Sequence, residues 1–349
     1  MSDTKTPQTE EKTNHIGLTK EAYGGLPSTL CAGCGHDSIT RHIISAFYEM
    51  GIKPHNVIKL SGIGCSSKTP AYFMSKAHGF NSVHGRMPSV TTGAILANRT
   101  LEAIGVSGDG DTASIGMGQF VHMIRRNVDC TYIVENNGVY GLTKGQFSAT
   151  ADPGSVLKKG ETNDYPDIDL CSMAILLGCN YVGRSFSGDM NQMVPMIQGG
   201  IAHRGTAMLD VISPCVTFNN HEGSTKSFLN VKKNDIAIHE IGFHPYFETP
   251  EVDLKHGEER QVELPDGSVI SLKKVSQDHD PTNATEALNM INESKAKGQI
   301  LTGLLYANPK ANVSFRERLK MVDKPLAYQT EDECRISKED FEKLQRRLR

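Results

Sequence analysis

Two polar clusters, each directly after an apolar run, are the parts of this chain best suited to chemistry. Gly108-Asp109-Gly110-Asp111 follows the run LEAIGVS, and Asn136-Asn137-Gly138 follows the run TYIVE, with 25 residues between Gly110 and Asn136. A carboxylate at Asp109, an amide oxygen at Asn137 and a nearby backbone carbonyl are hard ligands that suit Mg²⁺. The glycines allow a backbone to approach phosphate groups at a helix N-terminus. Either cluster alone is typical of a turn, but their joint spacing predicts a metal and diphosphate site.

Cysteines form the second chemical group. Cys31 and Cys34 have a spacing that suits two thiolates on one metal or cluster, but the second such pair that zinc sites usually have is absent from the sequence. A thioredoxin-like redox pair is an alternative, although no convincing strand precedes Cys31. Cys65 and Cys215 follow predicted strands, so four cysteines converge on one sheet edge and suit a 4Fe–4S cluster. We interpret Cys171 and Cys179 as ordinary buried thiols and assign no role to Cys130 and Cys334.

The elements that must position these residues alternate along the chain. Near-continuous apolar runs predict strands over 56–60, 101–107, 131–135, 180–183 and 207–212. The stretches between them predict helices over 36–50, 88–99, 113–126, 169–177 and 190–203. Such alternation is typical of an α/β fold with a doubly wound, mostly parallel sheet that helices cover on both faces. The two polar clusters then lie side by side at the carboxyl ends of neighbouring strands, where such sheets bind ligands.

The chain divides into three predicted parts. Residues 1–27 form a polar N-terminal tail, of which about the first 15 residues are expected to be mobile, and residues 28–217 form the α/β domain. Residues 218–349 form an elaborated extension rather than a second core. In this extension the tripeptide Pro265-Asp266-Gly267 predicts a β-hairpin between 261–264 and 268–272. One αβ unit follows at 283–306, and Ser337 is expected to cap a terminal helix.

Composition limits the classes of partner. The 37 basic and 40 acidic residues give a formal charge of −3, which argues against nucleic acid or an anionic membrane as the main partner. With 38% hydrophobic residues a packed core is expected, and no apolar run approaches the length of a bilayer span. The first residues lack the apolar segment of a secretory signal, so we expect a cytoplasmic protein with reduced cysteines.

The sequence also resembles a known family. Its Gly-Asp-Gly and Asn-Asn clusters match the motif of thiamine-diphosphate enzymes. More narrowly, residues 28–217 resemble the β subunits of 2-oxoacid:ferredoxin oxidoreductases. The stretches that carry this resemblance are Cys31-Ala32-Gly33-Cys34-Gly35-His36, Gly62-Ile63-Gly64-Cys65-Ser66-Ser67-Lys68, His84-Gly85-Arg86 and Tyr140-Gly141-Leu142-Thr143-Lys144-Gly145-Gln146.

The resemblance implies roles for individual residues. Mg²⁺ would be held by Asp109, Asn137 and the Val139 carbonyl, and the cluster by Cys31, Cys34, Cys65 and Cys215. It also implies that thiamine diphosphate is lined by Ile63, Gly64, Cys65, Ser66, His84, Gly110, Asp111, Gly141 and Leu142. The acid that acts on the cofactor's pyrimidine ring would come from a separate α subunit.

The implied activity is oxidative decarboxylation of a 2-oxoacid to its acyl-coenzyme A and CO₂, with electrons passed through the cluster to ferredoxin. Lys68 and Lys144 lie a few residues from the implied cofactor contacts. Two such cations favour 2-oxoglutarate, whose second carboxylate needs neutralising, over pyruvate. The alternatives are pyruvate or another 2-oxoacid as substrate, a non-oxidative thiamine decarboxylase or carboligase, and a non-catalytic iron–sulfur or zinc subunit.

Overall fold

A computed structural model describes residues 12–248, 259–273, 280–310 and 313–348 of the chain. These residues form an α/β fold built on a central sheet. Its strands are β1 Val57–Ser61, β2 His78–Asn81, β3 Glu102–Gly108, β4 Cys130–Asn136, β5 Val139–Tyr140, β6 Gln146–Phe147, β7 Tyr181–Phe186, β8 Thr206–Ile212, β9 Asp235–Ala237, β10 Glu240–His244, β11 Glu259–Glu263, β12 Val269–Lys273 and β13 Ile300–Ala307. Its α-helices are α1 Gly35–Glu49, α2 Met87–Ala97, α3 Met117–Arg126, α4 Leu170–Leu176, α5 Met190–Ala202, α6 Phe228–Asn234, α7 Ala284–Ala296, α8 Phe315–Arg318, α9 Glu331–Cys334 and α10 Lys338–Arg347.

Eight strands form the main sheet in the order β2-β1-β3-β4-β8-β7-β13-β9. The first six of these run parallel to one another, and β13 pairs with β7 in the antiparallel sense. Every residue of β1, β4, β7 and β8 is buried, because helices cover both faces of the sheet. The predicted α/β class and mostly parallel sheet are confirmed.

Two apolar cores lie on opposite faces of the sheet. One is built on α1 and α5, with Phe47 and Met196 fully buried in it. The other is built on α2, α3, α4 and α7 and includes the fully buried Phe120. This arrangement leaves the ends of the strands, rather than the faces of the sheet, free for ligands.

One predicted helix is divided in the structure. The prediction placed a continuous helix over 113–126, whereas Gly110–Ile115 form a π-type turn and the α-helix starts only at Met117. The turn lets the Asp111 carboxylate accept hydrogen bonds from the backbone of a different loop, at Gly85. An unusual turn next to polar side chains is frequent at functional sites.

Residues 1–11 of the predicted polar tail lie outside the described residues, and the part that is described is anchored to the domain by Tyr23. Tyr23 is fully buried, and its hydroxyl accepts a hydrogen bond from Asn14 Nδ2 at 2.9 Å. Its ring meets that of Tyr48 on α1 edge-on, with ring centroids 5.8 Å apart. This part of the chain therefore belongs to the domain surface, because burial of the Tyr23 ring holds it there.

The region after residue 217 joins the main sheet. Its strands β13 and β9 complete one edge, while β10, β12 and β11 form a separate antiparallel sheet that packs on α5. The predicted hairpin is present between β11 and β12, with Gly267 at φ 88° in the turn. Ser337 caps α10 as predicted, accepting a hydrogen bond from the Asp340 amide. The domain boundaries at 27 and 217 stay a prediction.

Within the described ranges, none of the helices has the length and apolar content needed to cross a membrane.

A buried ion network ties β7 to its neighbours. Arg184 contacts Asp210 on β8 at 3.0 Å and Asp169, the residue that caps α4, at 2.6 Å. Burial disfavours the charged form of Asp169, but Arg184 and the Ser172 amide outweigh it, so its pKa is lowered.

We expect Arg184→Met to lower the free energy of unfolding by about 3–5 kcal/mol, because it leaves the buried Asp210 carboxylate and the partly buried Asp169 carboxylate without their cation. Denaturant unfolding monitored by circular dichroism measures the change. The control is Lys297→Met, which removes an exposed i,i+4 pair with Glu293 and should change stability by less than about 0.5 kcal/mol. Equal effects of the two substitutions would contradict the role of the network.

Candidate functional site

Four parallel strands deliver their carboxyl ends to one edge of the sheet. The pairs Ser61↔Val106, Gly108↔Glu135 and Asn136↔Ile212 set the ends of β1, β3, β4 and β8 side by side. The segments that follow these strands carry the residues predicted to do chemistry. Parallel register is therefore what brings together side chains that are up to about 150 residues apart in the sequence.

A cavity opens at this edge. Twelve of the residues singled out from the sequence line it: Ile63, Gly64, Cys65, Ser66, His84, Asp109, Gly110, Asp111, Asn137, Val139, Gly141 and Leu142. The structure thus brings the implied magnesium ligands and cofactor contacts together, while their roles toward a cofactor stay a prediction.

Asp109 lies at the floor of the cavity and is 1% exposed. Its Oδ1 accepts from the Asn137 amide at 3.3 Å, and its Oδ2 accepts from the Thr150 hydroxyl at 2.6 Å and from the Ser148 hydroxyl. Burial raises the pKa of Asp109, and the Ser148 and Thr150 hydroxyls oppose that rise by stabilising the carboxylate. A cation bound beside Asp109 would favour the ionised form further.

The loop after β4 turns sharply around Asn137. The Asn137 side-chain oxygen accepts from the Val139 amide at 3.1 Å, and Gly138 takes φ 72°, a backbone conformation that favours glycine. The Asn137 carbonyl accepts from the buried Asn219 side chain at 2.7 Å. This turn brings the Asn137 side-chain oxygen and the Val139 backbone into the wall of the cavity that the Asp109 carboxylate also lines. Such a donor set fits Mg²⁺ with remaining positions filled by phosphate or water oxygens.

Asp111 is the second buried acid. Its Oδ1 accepts from the Gly85 amide at 2.8 Å, from the Ile63 amide at 3.3 Å and from His84, while its Oδ2 has no hydrogen-bond partner among the described residues. A Cβ at Gly62 would lie 1.8 Å from that oxygen. A buried acceptor without a partner is costly unless a ligand supplies the donor, so Asp111 fits a contact with a bound group.

The four predicted cluster cysteines come from three loops that meet beside the cavity. A Cβ at Gly141 would lie 3.6 Å from the Cys65 sulfur and 3.7 Å from the Cys215 sulfur, so both thiols border this residue. The Cys31 sulfur accepts from the Thr217 hydroxyl at 3.4 Å, two residues beyond Cys215. Burial is the main reason that the pKa of Cys34 is raised, to about 12, and Glu135 and Cys215 raise it further.

All eight cysteines are free thiols. Cys130, Cys171 and Cys179 are buried, which confirms the interpretation of Cys171 and Cys179. Across the described ranges, no group of three or more His, Cys, Asp or Glu side chains is arranged to hold a metal ion. The assignment of Cys31, Cys34, Cys65 and Cys215 to a cluster therefore stays a prediction, supported by the convergence of their loops.

The two predicted substrate lysines do not line the cavity. Lys68 is half-buried on the 3₁₀ segment Cys65–Tyr72, and Lys144 is exposed with φ 78°. Both follow cavity-lining residues closely in the chain, and their role in binding a substrate carboxylate stays a prediction.

Four further lining residues, His36, Gly108, Tyr140 and Thr143, lie in motifs that the sequence singled out, whereas sequence reasoning missed Glu135. Glu135 is notable because an acidic residue inside a fully buried strand needs a specific partner. Burial raises the pKa of Glu135 well above its usual value and lowers that of His36 to about 4. The signal that was available was an acidic residue directly before the Asn-Asn pair.

Comparisons with known proteins show which family this chain resembles. A family model described as the C-terminal TPP-binding domain of thiamine pyrophosphate enzymes matches residues 62–211. The chain is 44% identical over 191 residues to a 2-oxoacid:ferredoxin oxidoreductase subunit beta of Saccharolobus solfataricus, covering 54% of this chain and 63% of that one. It is 40% identical over 208 residues to a 2-oxoglutarate synthase subunit KorB of Methanocaldococcus jannaschii, covering 58% of this chain and 75% of that one.

A solved structure is also similar. It is a 2-oxoglutarate:ferredoxin oxidoreductase from Magnetococcus marinus with 2-oxoglutarate, coenzyme A and succinyl-CoA bound, with a TM-score of 0.68 and 28% identity over 87% of this chain and 91% of that one. The matched part spans less than two thirds of the Saccharolobus relative, but three quarters of the Methanocaldococcus one. The chain therefore belongs to the family of 2-oxoacid:ferredoxin oxidoreductase β subunits.

Proposed function

We propose that this chain holds the diphosphate end of thiamine diphosphate through Mg²⁺ in the cavity at the strand ends. The observation that carries the proposal is that one cavity gathers all twelve residues named for these two roles from the sequence. Asp109, Asn137 and the Val139 carbonyl would hold Mg²⁺, and Gly110 and Asp111 would contact the cofactor. Thiamine diphosphate, when bound, supplies the nucleophilic carbon for decarboxylation of a 2-oxoacid.

The four cysteines Cys31, Cys34, Cys65 and Cys215 would bind a 4Fe–4S cluster. Cys65 lines the cavity and borders Gly141 together with Cys215, so the cofactor and the cluster would share one wall. That proximity would suit single-electron transfer from the cofactor through the cluster to ferredoxin. A non-oxidative decarboxylase or carboligase would not need these thiols, and a non-catalytic metal subunit would not need Asp109 and Asn137.

A separate α subunit would complete the site. Large apolar side chains are exposed on the segments around the cavity, among them Phe80 at 54%, Val83 at 71% and Leu142 at 56%. Exposed apolar groups clustered near a site are typical of an interaction surface. Docking of the pyrimidine-binding subunit there would bury them and remove water from the cavity.

We infer that the substrate is 2-oxoglutarate and that the acyl group is transferred to coenzyme A, giving succinyl-CoA. The names of several relatives and the molecules bound in the Magnetococcus neighbour support this choice. Lys68 and Lys144 would meet the second carboxylate of the substrate once the α subunit closes the pocket. Pyruvate or another 2-oxoacid is the alternative substrate.

Asp109→Ala should weaken the affinity for thiamine diphosphate and Mg²⁺ by about 100-fold or more, since even loss of a residue that only supports a metal ligand costs about 10–100-fold. Equilibrium binding to the intact complex measures the loss. The control is Asp164→Ala, at an exposed loop position. Wild-type affinity in the Asp109 variant would show that the site assignment is wrong.

Cys34→Ser should abolish the iron–sulfur spectrum and oxidative turnover, because serine is a poor ligand for the soft metals that thiolates select. The matched control is Cys171→Ser, at a buried thiol whose sulfur contacts the Gly183 carbonyl and which lies away from the cavity. The iron content and the visible absorbance of the complex, prepared without oxygen, measure the loss of the cluster. Equal loss of iron from both variants would contradict the ligand assignment.

Lys144→Met should lower kcat/KM for 2-oxoglutarate tenfold or more and leave kcat/KM for pyruvate unchanged, because a charge pair in a partly desolvated pocket contributes roughly 2 kcal/mol. Lys68→Met is expected to act in the same direction. Lys158→Met, at an exposed position, is the control. A wild-type preference for pyruvate, or an equal loss on both substrates, would refute the substrate assignment.

A further inference from the structure

Glu135 is a fully buried acid that none of the proposed roles uses. It is the second-last residue of β4, it is 0% exposed, and it lines the cavity two residues before Asn137. Both of its carboxyl oxygens lie 3.0 Å from the Thr69 hydroxyl, and one lies 3.5 Å from His36 Nδ1. A polar group this deeply buried is retained only where its partners matter to the fold or the site.

The two partners of Glu135 belong to the segments that carry Cys65 and Cys34, and a further contact reaches the loop that carries Cys215. Thr69 lies on the 3₁₀ segment that begins at Cys65, and His36 lies two residues after Cys34. His36 Nδ1 is also 2.7 Å from the hydroxyl of Ser213, two residues before Cys215. One connected polar network therefore reaches from β4 to every cysteine-bearing loop.

The loops around this network are tightly packed. A Cβ at Gly35 would lie 2.5 Å from the Ser213 hydroxyl oxygen and 2.7 Å from that of Ser187, so only glycine fits between the Cys34 and Cys215 loops. Thr69, Glu135 and Ser213 are fully buried, and His36 is nearly so. Water cannot easily replace a lost partner at such a position, so removal of one member should loosen the others.

We propose that Glu135 is a positioning residue that, through Thr69 and through His36 and Ser213, holds the three cysteine loops at the spacing needed to bind one iron–sulfur cluster. The proposal rests on the proposed function, since it presupposes that these cysteines bind a cluster. The role of Glu135 differs from that of the cysteines, because Glu135 is not a ligand and acts on the cluster only through the loops.

The test compares Glu135→Leu with Glu135→Gln in the anaerobic complex with its α subunit. The measurements are iron per chain, the half-life of the cluster absorbance under an iron chelator, the spectrum of the reduced cluster and the affinity for thiamine diphosphate. Leucine removes the Thr69 hydrogen bond and the polar contact with His36, so the half-life should fall about tenfold or more, whereas glutamine keeps an oxygen for Thr69 and should stay within about twofold of wild type. Because Glu135 also lines the cavity, a loss of thiamine diphosphate affinity without faster release of iron would show that Glu135 acts on the cavity and would overturn the positioning role.

Asp129→Leu is the control for general destabilisation. Asp129 is also buried, lies just before β4 at the opposite end of that strand, and pairs with Arg316 at 3.1 Å. Its loss should lower stability without shortening the half-life of the cluster. If Glu135→Leu does not fold, Thr69→Val and Ser213→Ala each remove one arm, and each should shorten the half-life about threefold or more.

The outcomes separate the two proposals. A wild-type complex that binds thiamine diphosphate but contains no iron would overturn the cluster assignment itself. A wild-type complex with about four irons per chain, in which Glu135→Leu or the two single-arm variants release iron no faster than Asp129→Leu, would overturn the positioning role alone. Equal and large losses in Glu135→Leu and Glu135→Gln would also overturn it, because the glutamine retains the hydrogen bond from Thr69.

Discussion

The parallel pairing of β1, β3, β4 and β8 is the constraint on which the candidate site depends. Parallel strands all end at the same edge of a sheet, so the four segments that follow them must meet there. Site residues as far apart in the chain as Gly62 and Cys215 therefore become neighbours. Because the strands are buried on both faces, their register is strongly specified, and the positions of the site residues are specified with it.

In the proposed function the same edge binds two kinds of ligand, because its loops differ in chemistry. The segments after β3 and β4 present oxygen atoms, with Asp109 held by Ser148 and Thr150 before any ligand arrives. The segments after β1 and β8 present sulfur atoms at Cys65 and Cys215. Hard oxygen ligands suit Mg²⁺ and thiolates suit iron, so the two sites can lie side by side without competing for one metal. Gly141 lies at their boundary, next to both thiols.

Much of this arrangement could be predicted from the sequence because it rests on local patterns. Near-continuous apolar runs predicted the central strands, and polar residues directly after two of them predicted where Asp109 and Asn137 would meet. The division of the helix over 113–126 could not be predicted, since it depends on the contact of Asp111 with Gly85 in a different loop. The exposed edge strand β2, His78–Asn81, has no apolar alternation to mark it. The role of Glu135 depends on Thr69 and His36, which only the folded chain brings to it.

We propose that one edge of the sheet binds both thiamine diphosphate and an iron–sulfur cluster. The most direct test of this proposal is to isolate the complex of this chain with its α subunit without oxygen and to measure iron, sulfide, zinc and thiamine diphosphate per chain. We expect about four irons per chain, a matching amount of sulfide and one thiamine diphosphate per chain in the same preparation. Zinc without thiamine diphosphate, or thiamine diphosphate without iron, would contradict it.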